Sequence, residues 1–246
     1  MIQTIQMITR PRTAGKGSGK LVGYLLLALG GLCLAAAPAA AAVLDESLTD
    51  YVGSGTPSLA SPYGTVTLND NGGPDVTVTV ALASGVGFVN TGAGYSLTWD
   101  LAGAPTITVP ANSLTAGFSL VSSSPGSLTA GGSGSWDYAI ACATATCGHG
   151  GNSPYTGPLS FTIDNVALAD FIANGSGNDF SADVCLGVSN GSCSGGITGV
   201  VVANTGTTGQ STVPEPATIS LFGAALGTLA LLRRRGARRS GSPSQG

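Results

Sequence analysis

Val76-Thr77-Val78-Thr79-Val80-Ala81-Leu82 alternates without a break and puts Val76, Val78, Val80 and Leu82 on one face of a strand. Outward from it, runs of the same character occupy residues 64–68, 95–101, 105–109, 118–121, 135–143, 158–163, 179–186 and 198–203. Turn signals separate them, among them Asn71-Gly72-Gly73-Pro74, Ser124-Pro125-Gly126 and Gly131-Gly132. Strands this short and this closely spaced predict an all-β fold, an antiparallel β-sandwich of Greek-key or jelly-roll type. Trp99, Trp136, Tyr138, Phe161 and Phe180 each sit inside a strand-like run and are the expected large core residues. The one helical suggestion is 167–173, where Leu168, Phe171 and Ile172 share a face, enough for a single turn over one end of the sandwich. The Gly/Ser tracts 122–134 and 148–157 read as long loops, and no internal repeat suggests a solenoid.

Charge is partitioned along the chain. All nine Lys and Arg lie in the two end segments, 1–42 and 213–239, while eleven of the twelve acids lie between them. The intervening domain therefore carries a net charge near −11, which the whole-chain value of −3 conceals. A domain without a single Lys or Arg cannot neutralise phosphates, so nucleic acid and anionic headgroups are excluded as direct partners. Arginine-clamp and Schiff-base chemistry go with them. Such a surface attracts divalent cations.

Four cysteines fall in the same domain: Cys142, Cys147, Cys185 and Cys193. An even count in an exported chain argues for two disulfides, and four cysteines allow three pairings. Cys142–Cys147 and Cys185–Cys193 are favoured, because each pair brackets a short loop of the kind that joins neighbouring strands. A zinc site from Cys142, Cys147 and His149 lacks a recognisable four-ligand spacing.

Candidate sites are sparse. Asp70, Asn71 and Asp75 bring hard oxygens to a glycine turn, a donor set that suits Ca²⁺, although Asx-Gly runs are also ordinary hairpin turns. His149 is the only histidine, with no nucleophile-elbow sequence to accompany it. Glycoside hydrolysis needs two carboxylates across a cleft, about 5–9 Å apart. Asp179 and Asp183 lie about 13 Å apart if they share a strand face. Asp164 and Asp170 fall in a turn-rich segment, and Glu46 falls where order is not expected. No enzyme is read here. Tyr51, Tyr63 and Tyr155 stand beside Pro and Gly and could offer a sugar-stacking platform, or could simply cap the ends of the core.

Both ends read as address labels. Arg10, Arg12, Lys16 and Lys20 precede the apolar run 21–34, and small residues 35–42 offer cleavage after Ala42 or Ala40, so 1–42 is expected to be a signal peptide. Cys33 would leave with it; a lipidated Cys33 is the alternative. Residues 43–204 would be the exported domain and 205–212 a polar linker. Val213-Pro214-Glu215-Pro216 then leads into the apolar run 217–232 and the membrane stop Arg233-Arg234-Arg235, with 240–246 a disordered tail. As a helix that run reaches about 24 Å, short against a hydrocarbon core of roughly 30 Å.

The Pro-Glu-Pro, the Gly/Ala/Leu-rich run and the arginine cluster, in that order, resemble the PEP-CTERM sorting signal. The resemblance implies a Gram-negative host that makes exopolysaccharide. It also implies export through signal peptidase, a transient hold in the inner membrane by the C-terminal helix, and recognition by an exosortase. The protein would then pass to the cell surface or extracellular matrix. Segments 164–171, 180–184 and 199–204 are also similar to the last strands of many exported PEP-CTERM proteins of unknown activity, a pattern that transfers no catalytic residue. The expected role is non-catalytic, in a surface or biofilm matrix, without a cofactor. Exopolysaccharide binding or Ca²⁺-assisted adhesion is the alternative, and a secreted hydrolase a more distant one.

Overall fold

The computed structural model describes residues 41–91, 94–148 and 150–204. Residues 1–40 of the expected signal peptide, His149, the linker, the sorting motif 213–216, its apolar run and Arg233, Arg234 and Arg235 lie outside the described residues. Among those described, no helix is long and apolar enough to cross a membrane.

Two antiparallel sheets carry the domain. The smaller orders its strands β1 (Val43–Leu48), β3 (Gly64–Asn69), β4 (Val76–Leu82) and β11 (Leu159–Ile163). The larger runs β2 (Asp50–Val52), β14 (Ile197–Asn204), β13 (Asn178–Leu186), β6 (Leu97–Leu101), β10 (Tyr138–Cys142) and β7 (Phe118–Leu120). Short strands β5 (Val86–Phe88) and β12 (Phe171–Ile172) add to β13 and β6, and β8 (Leu128–Thr129) pairs β9 (Ser135–Trp136) as a separate hairpin. A four-residue helix α1 (Thr144–Cys147) follows β10.

The opening alternation behaves as its period requires. Val76, Val78 and Val80 are buried, while Thr77 and Thr79 turn outward and meet Thr162 and Ser160 of β11 at 3.3 and 3.2 Å. Across from them the larger sheet contributes Leu97, Trp99, Tyr138, Ile140, Phe180, Ala182 and Val184 to the same core. Trp99 bridges the two layers, 5.7 Å from Tyr138 in its own sheet and 5.3 Å from Phe161 in the other. All five expected aromatic core residues are buried. Trp136, however, lies outside the main cluster, on the far side of the larger sheet.

Several expectations are corrected. Residues 105–109 form no strand, only a bridge from Thr108 to Asp164. Pro105 and Pro110 remove a donor at each end, which limits a ladder there. The run 135–143 breaks at Asp137, whose N–H donates to the Asp100 carboxylate at 2.7 Å instead of extending the ladder. Segment 167–173 gives a 3-10 turn, Leu168–Asp170, and then β12 rather than a helix. The Asp170 carboxylate accepts the Ala167 N–H at 2.8 Å and closes that turn. The loop expected over 122–134 contains β8. Strands β1, β2 and β5 were not legible, and Glu46, expected in a disordered start, is buried in β1 at 2 % exposure.

Candidate functional site

The larger sheet has a second buried face, turned away from the core. Ladder register puts Val202, Ser181, Thr98 and Ala139 in one row across β14, β13, β6 and β10, with Val200 and Asp183 in the next. Small and polar side chains dominate here because a further layer lies on top. The β8–β9 hairpin rests against β6 and is locked by its own bonds. Trp136 Nε1–H donates to Ser133 Oγ at 3.1 Å, and Ser133 Oγ–H to the Ala130 carbonyl at 2.6 Å. Asn174 and Asn178 donate side-chain N–H groups to the Ser133 carbonyl at 3.0 and 2.7 Å. Beneath it Thr98 and Ser181, both fully buried, pair their hydroxyls at 2.5 Å.

Beside this hairpin a pocket of about 280 Å³ opens, lined by Asn90, Gly94, Tyr95, Ser96, Thr129 and Ala141 among others. The loop leading into β6 forms one wall and is pinned at both ends to β13. Val89 N–H donates to the Asp183 carbonyl at 3.3 Å, and Asp183 N–H to the Tyr95 carbonyl at 2.8 Å. Asn90 Nδ2–H donates to the Cys142 carbonyl at 2.9 Å, tying the loop to the stapled end of β10. Gly94 sits directly over Asp183: a Cβ there would come within 3.1 Å of Asp183 Cβ and 3.2 Å of Val200 Cγ2. Ser96 is 1 % exposed, and its Oγ has no hydrogen-bond partner.

Asp183 is fully buried under that loop. One carboxylate oxygen accepts the Thr91 hydroxyl at 2.7 Å and its N–H at 3.4 Å, while Oδ1 has no partner. Burial pushes its pKa up to about 6, against the lowering effect of the Thr91 bonds. A second buried acid lies at the edge between the sheets. Glu46 Oε2 has no partner, and burial, reinforced by the charge of Asp179, pushes its pKa up to about 7. Asp179 is raised too, by burial. The β13 register shifts between Asn178 and Phe180, which sets Asp179 apart from the alternation of Ser181 and Asp183. Asp179 and Asp183 are thus separate environments and do not form a facing pair.

The other sequence-derived candidates also hold backbone in place. Asp70 Oδ1 accepts the Ala42 and Gly72 N–H groups at 2.7 and 2.9 Å, and Asp75 Oδ1 accepts the Asn165 N–H at 2.9 Å. Asn71 donates to Thr77 Oγ1 at 3.0 Å. Among the described residues no three His, Cys, Asp or Glu cluster as a metal site. Cys142 bonds Cys147 and Cys185 bonds Cys193, the pairing the loop lengths favoured.

Tyr63 is buried. The hydroxyls of Tyr51 and Tyr155 donate to backbone carbonyls of Thr198 and Pro158 at 3.0 and 3.2 Å. Tyr155 packs on Phe88 and Phe118 as a cap on the core. The pocket residues Asn90 and Ser96 were not singled out in the sequence. The only signal was weak: the alternation in 95–101 places Ser96, Thr98 and Asp100 on one face opposite Leu97, Trp99 and Leu101.

Residues 212–239 match the family model of the PEP-CTERM protein-sorting motif. No curated protein and no solved structure matches the chain. The motif marks an exported protein that an exosortase recognises.

Proposed function

We propose that this exosortase-sorted chain delivers a non-catalytic β-sandwich, of Greek-key or jelly-roll kind, to the cell surface or extracellular matrix of a Gram-negative bacterium. The sorting motif at 212–239 carries the reading. The domain's own composition supports it. With its basic residues confined to the two ends, cleavage of both would release a purely anionic, disulfide-stapled body with no attachment to the membrane. No cofactor enters this role. Asp70, Asn71 and Asp75 as a Ca²⁺ site remain the alternative, to be tested by calorimetry with Ca²⁺ on wild type and Asp70→Ala, where identical traces end it.

Intact mass of the protein recovered from the cell surface tests the main reading. The expected product lacks Arg233, Arg234 and Arg235, cut at or near Glu215; a retained arginine tail would make the apolar run a permanent anchor instead. Deletion should change biofilm or floc architecture. Carbohydrate recognition is the second reading, favoured by the polar pocket beside the β8–β9 hairpin rather than by the tyrosines. Release of the surface protein by free sugar separates it from a purely structural role.

A further inference from the structure

We propose that the pocket between the loop entering β6 and the β8–β9 hairpin is a binding site for a neutral, hydroxyl-bearing ligand about one sugar ring in size. It deepens the carbohydrate reading above and is independent of how the tail is processed.

Size comes first. Pockets for drug-sized ligands hold about 300–1,000 Å³, so about 280 Å³ suits something smaller. Charge comes next. Residues 43–204 contain no Lys or Arg, and a buried carboxylate, Asp183, backs the pocket beneath Gly94, so an anion would meet repulsion and no counter-charge. A cation would find no carboxylate among the described lining side chains. What remains are the neutral polar residues Asn90, Ser96 and Thr129, together with Tyr95 and the apolar Val89 and Ala141. Alternating hydroxyl edges and C–H faces are the surface of a sugar.

Hydrogen-bond demand points the same way. Ser96 Oγ is buried without a partner at the pocket wall, and a native structure rarely leaves such a group unsatisfied without a reason. A slight opening of the wall would let a ligand hydroxyl supply the missing bond. The walls are also preformed: Val89 and Tyr95 are pinned to Asp183, Asn90 is tied to Cys142, and Cys142 is bonded to Cys147. A site that needs little ordering on binding retains more of its contact energy as affinity.

The test is calorimetric titration of the exported protein with the methyl glycosides of glucose, galactose and mannose, with glucuronate as the charged control. At least one neutral glycoside should saturate at or below roughly 50 mM, the weak range expected for a single ring. Glucuronate should bind at least about tenfold more weakly. Ala141→Leu, which fills the pocket, should abolish binding. Ser96→Ala should weaken it about tenfold while leaving the melting temperature unchanged or higher, because it removes a buried hydroxyl that lacks a partner. Absence of saturation by all three glycosides would overturn the proposal, as would equal binding of glucuronate or binding that survives both substitutions. None of those failures touches the sorting reading, which intact mass decides.

Discussion

The larger sheet buries both of its faces, and it does so with opposite chemistry. Towards β4 and β11 it presents Leu97, Trp99, Tyr138, Ile140, Phe180 and Val184, held by apolar area and ring contact. Away from them it presents Thr98, Ser181, Asp183, Ala139 and Ser96, all buried. There each polar atom needs a partner to be tolerated. Thr98 and Ser181 find one in each other. Ser96 Oγ and Asp183 Oδ1 do not, and the pocket opens beside them. The inner face is a matter of volume, the outer face a matter of pairing, and a recognition site belongs where pairing is incomplete.

The sharpest way to break the comparison is Trp99→Ala. Losing the ring between Tyr138 and Phe161 should cost about 3–5 kcal/mol, read as a fall in the urea midpoint. A loss no greater than that of a surface substitution would mean that apolar packing is not what joins the layers.

Glu46 is the acid that breaks the pattern at the edge between the sheets, and pH exposes it. Its folded-state pKa, about 7, lies above the ordinary 4.5, so the folded protein keeps a proton that the unfolded chain has released. The stability it supports is full below pH 4.5 and is lost as pH rises to about 7. The change amounts to at most about 3 kcal/mol, and less to the extent that solvent screens the group. Glu46→Gln should flatten that slope and raise the melting temperature at pH 8. Asp183, pushed up to about 6, adds a smaller loss of the same sign on the outer face. A domain equally stable at pH 5 and pH 8 would show that these carboxyls are solvated.

On the outer face, Ser181→Ala leaves the Thr98 hydroxyl only its long 3.5 Å approach to the residue 181 carbonyl and should cost about 1–2 kcal/mol. Ser181→Ala with Thr98→Val should cost less than the two singly, because the second change removes the orphan; strict additivity would deny the pair any coupling. The smallest effect is expected at the rim. Asp75→Ala removes the acceptor for the Asn165 N–H, where φ is 56°, and should cost about 1 kcal/mol in thermal melts without altering Ca²⁺ heats.

Legibility followed the same division. The inner face could be read because Val76, Val78 and Val80, or Leu97, Trp99 and Leu101, repeat with period two, and burial on one side imposes that period. Strand β1 escaped notice because Glu46 occupies the position between Leu44 and Leu48 where an apolar residue would announce a strand. β13 read as a strand, but nothing local told that Ser181 and Asp183 would be buried as completely as Phe180 and Val184. The layer that covers them comes from residues 89–91 and 94–96 and from the β8–β9 hairpin, distant in sequence. The tyrosines misled for the converse reason: neighbours such as Gly157 and Gly199 let their rings lie flat on the backbone, which a linear reading takes for an exposed loop.

Sequence alone determined the partition of charge, the β class, the large core residues and the sorting motif, since each depends on residue type, local period or order along the chain. Tertiary structure alone decided that Glu46 and Asp183 are buried, that Asp70 and Asp75 serve the backbone, and that Ser96 lines a pocket. Those outcomes depend on which distant segment covers a side chain and withdraws it from water, and no local pattern carries that information.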